Sequence, residues 1–122
     1  MSDLLALRPF LPVKDMARSR AFYEAIGFAA TIADATVTIM KMGSFSLILQ
    51  NHYVQDWADN TMVQLMVRDV EPWWETHVNA ALLVDQFAVK PPRPPVMQPW
   101  GLIVGFLFDP AGVLLHVAEA PF

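Results

Sequence analysis

The sequence predicts an α+β domain in which one βαβββ module is used twice around a cleft, and three observations carry that prediction. Residues 10–16 and 64–70 match as strands that run into a helix start, with Asp15 and Asp69 in the capping position. A second echo follows in the same order, because Gly43 and Gly112 each open the last strand of their half. Finally, 122 residues make one ordinary domain, able to bury about two thirds of its unfolded surface without metals or cross-links.

Leu7 to Val13 reads as the first strand, and the Asp15 side chain can accept from the free amides of the helix that follows. Ala21, Phe22, Ala25 and Ile26 form an apolar stripe at helical spacing, and Gly27 stops the helix. Phe28 to Ile32, Thr36 to Met42 and Ser44 to Gln50 are rich in β-branched and aromatic residues and form a three-stranded meander. Asn51 to Asn60, polar and carrying Trp57, joins the halves.

The pattern then restarts. Thr61 to Arg68 is a strand and Asp69 caps a helix with Pro72 in its first turn, where a missing amide proton costs little. That helix is expected to end near Ala80, with a short strand somewhere in Leu82 to Lys90. Pro91 to Pro95 together with Pro99 form an extended loop that cannot join a central ladder. Leu102 to Phe108 is a continuous apolar strand, Asp109 to Gly112 a turn, and Val113 to Glu119 the last strand. The modules therefore span about 5–52 and 60–120 of a single domain, 1–122.

The hydrophobic fraction is 55%, yet no apolar run approaches the roughly 18 residues that span a bilayer, so no membrane partner is expected. The surplus apolar surface has to be covered, which predicts a homodimer. A net charge of -4 with no Lys/Arg cluster argues against nucleic acid. There is no cysteine, which excludes disulfides, thiol nucleophiles and Cys-ligated zinc. The opening residues, with Asp3 near the start and only a short apolar run, are unlike a secretory signal, so a cytoplasmic location is expected.

The chain resembles the glyoxalase/bleomycin-resistance/dioxygenase (vicinal oxygen chelate) family. The likeness rests on residues 13–28, with Phe22-Tyr23 ahead of a Gly27-Phe28 helix exit, on Trp100-Gly101, and on the Phe108-Asp109-Pro110-Ala111-Gly112 turn. It implies that the two modules form a partly closed mixed sheet around a ligand cup. Enzymes of the family hold a divalent metal there, on a His from the first strand and a Glu from the last strand of each module.

The resemblance implies a first-strand ligand about seven residues before each capping aspartate, here Arg8 and Met62, and a last-strand ligand four residues after each glycine, here Leu47 and His116. A slip of one residue in the fourth strand would bring in Ser46 or Gln50 instead. One plausible ligand among four does not make a divalent site, which needs about three, so no metal and no cofactor is expected. By strand parity, Val63, Leu65 and Val67 face the helices while Met62, Gln64 and Met66 face the cup; Leu7, Leu11 and Val13 face the helices while Arg8, Phe10 and Pro12 face inward.

The expected ligand-binding set is Arg8, Phe10, Met62, Gln64, Met66, Trp100 and His116, a lining suited to a hydrophobic or aromatic compound held by a few directed hydrogen bonds. His116 can serve as a hydrogen-bond handle or as a structural residue, and Arg8 as a clamp for a carboxylate or phosphate or as a solvated rim residue. His52 and His77 read as surface groups, and Met40 and Met42 as core filler. Trp73 and Trp74 are adjacent, so at most one can face the sheet. Trp57 and Trp100 sit in loops beside the cup, where they can stack on flat ligands.

The leading expectation is a metal-independent protein that binds a small molecule, antibiotic sequestration included. Two alternatives accompany it. One is an enzyme, either a lyase or dioxygenase with an atypical metal site or a metal-free isomerase using His116 and Arg8. The other is a structural or regulatory dimer whose cup is filled by its own side chains.

Overall fold

A computed structural model describes residues 3–121 and contains two four-stranded mixed sheets that share one core. The first module consists of β1 (Phe10–Pro12), α1 (Met16–Ala25), β2 (Ala29–Ala33), β3 (Val37–Met42) and β4 (Phe45–Gln50). After a short helix α2 (Gln55–Asp59), the second consists of β5 (Met62–Val67), α3 (Val70–His77), α4 (Ala80–Phe87), β6 (Arg93–Met97), β7 (Ile103–Phe108) and β8 (Leu114–Glu119). The strand orders are β1-β4-β3-β2 and β5-β8-β7-β6, so in each module the first strand lies parallel to the last.

Helix α1 starts where expected, with Asp15 Oδ1 accepting from Arg18 N at 3.1 Å. Its buried stripe is Ser19, Phe22, Tyr23 and Ile26; Ala25, expected inside, is exposed. Gly27 follows at φ +112, a conformation that side chains resist, and His77 Cδ2 lies 2.7 Å from where a Cβ would stand. Asp69 occupies the cap of α3 but makes no side-chain cap bond. Glu119 Oε1 supplies the acceptor instead, 3.2 Å from Val70 N.

The largest departure lies between α3 and β6. Residues expected to hold a short strand form α4, because Asn79 caps a new helix by accepting from Leu82 N at 3.1 Å. Leu83 and Phe87, four apart on one face, are then buried. The second module thus carries two helices before its meander. The proline-rich segment is also not a loop: Arg93–Met97 pairs with β7 as an edge strand, and its register breaks at Pro94 and Pro95, which have no amide to donate. At the other end of the chain β1 is only three residues long, since Pro9 breaks the ladder ahead of it. Leu7, expected against the helices, is 86% exposed, while Pro12, expected in the cup, is buried in the strand against which α2 packs.

Helices α1 and α4 pack together between the modules, with the Phe22 and Phe87 rings edge-on at 5.7 Å. Tyr23 reaches from α1 to the turn of the other module, where its hydroxyl donates to Asp109 Oδ2 at 2.7 Å. Asp109 Oδ1 accepts from the amides of Ala111, Gly112 and Val113 and so holds that turn. Burial pushes both groups up in pKa, with their mutual hydrogen bond raising the tyrosine and lowering the carboxylate. On the helix side of the second sheet Trp74 packs directly on Gly105, leaving no room for a Cβ. Both sheets keep their other faces open.

Candidate functional site

The register of the parallel strands fixes which side chains meet on those open faces. In the second module Gln64 lies directly across from His116, and its amide nitrogen is 3.3 Å from His116 Nδ1. With the amide donating, Nδ1 is the acceptor and Nε2 carries the proton. In the first module Phe10 pairs with Ile48, so Arg8 falls beside Ser46, and Arg8 Nε donates to Ser46 Oγ at 3.0 Å. Each module thus carries one polar cross-strand pair at the same place in its fold, formed between its first and last strands.

A cleft of about 400 Å³ separates the modules. Its polar lining residues are Ser46 and Gln64, one from each pair, and Met42, Phe45, Met66 and Trp73 contribute apolar walls. Aromatic groups extend the site over the second sheet: the Trp100 indole stacks over the His116 ring at 6.2 Å and 24°, and Phe106, directly opposite His116 on β7, meets it edge-on at 5.4 Å. Trp100 is held in a turn in which Gly101 N donates to Gln98 O and remains 58% exposed.

Of the seven residues expected to bind ligand, the second sheet brings together five: Met62, Gln64, Met66 and His116 on its open face, with Trp100 over the imidazole. Arg8 and Phe10 stand on the corresponding face of the first sheet and join the cleft through Ser46 and Pro9. Met62 is 62% exposed and Phe10 is 50% exposed. Val63, Leu65 and Val67, expected to face only the helices, pack against the core and also line the cleft, because β5 is the edge strand beside it. Leu47 is not on the open face: it is buried on the helix side and reaches the cleft wall only from there, while its neighbour Ser46 faces outward.

Loop length explains that shift. Gly43 and Ser44 alone connect the paired residues Met42 and Phe45, whereas five residues connect Phe108 to Leu114. Equal distances from the two glycines therefore end on opposite faces.

Several expected surface or core groups also move. His77 is partly buried, stacked on Trp73 at 4.3 Å with Nδ1 2.9 Å from Trp73 O, while His52 is exposed as expected. Trp74 takes the sheet and Trp73 turns to the cleft. Met40 is core; Met42 both packs against the core and lines the cleft. Trp57 lies in α2 rather than in a loop.

Arg8, Ser46, Gln64 and His116 offer a guanidinium, a hydroxyl, an amide and one imidazole already engaged at Nδ1. Such a set does not fit a divalent metal, and among the described residues no three His, Asp or Glu side chains gather to hold one. Nor is any helix among them long and apolar enough to cross a membrane.

No family model matches the chain. A bleomycin resistance protein from Klebsiella pneumoniae is 27% identical over 112 residues, covering 91% of this chain and 89% of the relative. Among solved structures, a bleomycin-binding protein from bleomycin-producing Streptomyces verticillus, complexed with copper(II)-bleomycin, superposes with a TM-score of 0.78 at 22% identity, covering 98% of this chain and 99% of that one. A lactoylglutathione lyase from Agrobacterium tumefaciens gives 0.66 at 17% identity, covering 98% and 96%. Along nearly its whole length the chain is thus similar in sequence to a bleomycin resistance protein, and its two four-stranded mixed sheets give it the fold of the bleomycin-binding proteins, a likeness that supports the glyoxalase/bleomycin-resistance/dioxygenase superfamily.

Proposed function

We propose that the protein is a metal-independent, cytoplasmic homodimer that binds a small hydrophobic or aromatic compound, in the manner of a sequestering protein for an antibiotic. The observation that carries this reading is the cleft between the modules, apolar on its walls and supplied with one polar cross-strand pair by each module. Such a lining favours a body held by packing and oriented by a few hydrogen bonds. The bleomycin complex of the Streptomyces structure makes bleomycin the first compound to test. Phe10, Met62, Met66, Trp100 and His116 form the remaining contacts in this proposal. The exposed apolar side chains on the open faces, Met62, Val96 and Trp100 among them, support a second copy as the partner that covers them.

The test is a thermal-shift and calorimetric screen of bleomycin, other antibiotics and neutral aromatic compounds, run on protein stripped of metal and on protein supplied with Fe, Mn, Zn or Ni, together with sedimentation for the oligomeric state. Saturable binding by the stripped dimer is the expected result. Stoichiometric metal uptake that is required for binding would replace this reading with a metalloenzyme, and the absence of any binder would remove the cleft as a ligand site.

A further inference from the structure

The polar row around Ser46 has a charge arrangement that neither packing nor folding explains. Register places Lys41 directly across from Ser46 on β3, just as Arg8 lies beside it on the β1 side, so two cations flank one hydroxyl on the same open face. Neither has an ion-pair partner; among the described residues the one ion pair is Arg20 with Glu24 on α1. Like charges set on neighbouring strands are unfavourable unless something between them compensates. Among the described residues no carboxylate lies within ion-pair distance of either. Glu119 is the single acid within the strands, and it lies on the helix side capping α3. The second sheet continues the pattern, with Arg93 opposite Phe106 at its far edge. An acidic chain of net charge -4 thus places cations and no acids on the strands of its two open faces.

We propose that the ligand is an amphipathic organic anion, its oxyanion head held between Arg8 and Lys41 beside the Ser46 hydroxyl and its apolar body lodged in the cleft against Met66 and Trp73. The assignment rests on the cleft being the ligand site and adds the chemical class of what it takes. The bond from Arg8 Nε to Ser46 leaves both terminal guanidinium nitrogens to point at the head group in a planar fork, the geometry that suits a carboxylate or a phosphate. Strands are about 4.8 Å apart, so an oxyanion lying over Ser46 is within reach of both long cationic side chains.

The experiment compares 2-naphthoate, naphthyl phosphate and the neutral 2-naphthamide by calorimetry on the wild-type protein and on the Arg8→Gln and Lys41→Gln variants. Both residues are exposed, and an unchanged melting temperature confirms that each variant is folded. The wild type is expected to bind at least one anion about tenfold or more tighter than the amide, the effect of a charge-assisted hydrogen-bond pair. Each variant is expected to lose most of that preference, and high ionic strength is expected to weaken only the anions. The relative affinities of naphthoate and naphthyl phosphate show which head group is preferred. Amide binding as tight as either anion in the wild type, or anion affinity unchanged in both variants, overturns the charge assignment and leaves the cleft intact. Failure of all three compounds to bind overturns the assignment, and the cleft itself falls with it only if the antibiotic screen also finds no binder.

Discussion

Tyr23→Phe is the most informative perturbation of the fold, because it removes one atom from the joint between the modules. The phenyl ring keeps its edge contacts with Phe22 at 5.3 Å and Phe28 at 5.6 Å, so apolar burial hardly changes. What disappears is the donor to Asp109 Oδ2, buried 2.7 Å away, while Oδ1 keeps its three backbone amides. Losing a buried hydrogen bond to a charged group costs about 1.5–3 kcal/mol. For a chain of this length that is roughly 6–12 °C in melting temperature.

The sign of the pH dependence follows from Asp109. Its folded pKa lies above the ordinary carboxylate value, chiefly because it is buried, and the Tyr23 bond holds it partway down. Ionising it therefore costs the fold more than the unfolded chain. Stability from this group is greatest below the ordinary carboxylate pKa of about 3.9, declines as pH rises toward the folded value, and stays at its lowest above it. Without Tyr23 the folded pKa rises further, so the variant's deficit widens over that interval and is larger at neutral than at acid pH. Thermal unfolding followed by circular dichroism at both pH values provides the readings. A neutral-pH melting temperature within about 2 °C of wild type, or a gap at least as large in acid, would show that the Tyr23–Asp109 bond does not join the modules energetically.

Gly105→Ala forces a methyl group into the Trp74 indole and should cost about 1–3 kcal/mol in chemical denaturation, whereas Gly101→Ala, with open space around it, should show only the strain of its backbone. Ala88 ends α4 in the left-handed conformation at φ 54, so Ala88→Gly should stabilise by about 0.5–1 kcal/mol in the same assay. His116→Ala should weaken binding of any compound found to occupy the cleft, and unchanged affinity would remove the imidazole from the site; replacing Leu47 by Ala should instead lower stability by about 2–5 kcal/mol through a core cavity.

Much of the architecture could be read from local signals that agree with each other. Asp15, the alternation along 62–67 and the Asp109 to Gly112 turn each specify a conformation through nearby chemistry, and the structure follows them. The failures occur where two conformations suit the same residues. Leu82 to Lys90 is an apolar run that periodicity alone allows as strand or helix, and the deciding signal was Asn79 ahead of four good helix formers, Ala80 to Leu83. Likewise, β-propensity at Leu7 was outweighed by the absent amide of Pro9.

The geometry of the candidate site was legible on the second sheet and blurred on the first. Gln64 follows from parity within its strand and His116 from its distance to the Asp109 to Gly112 turn, but Ser46 requires knowing that the hairpin at Gly43 is two residues long, and Lys41 then follows only from pairing across it. Phe106 and Trp73 enter through tertiary contacts that no spacing in the sequence encodes.

An NMR titration of nitrogen-15-labelled, metal-free protein with the tightest compound from the screen tests most directly whether the two modules share one ligand site. A shared site predicts that perturbations converge on Ser46 and Arg8 from one module and on Gln64, His116 and the Trp73 indole from the other, at one common affinity. Perturbations confined to one module, or displaced to the groove between α1 and the β2–β3 turn, would contradict it.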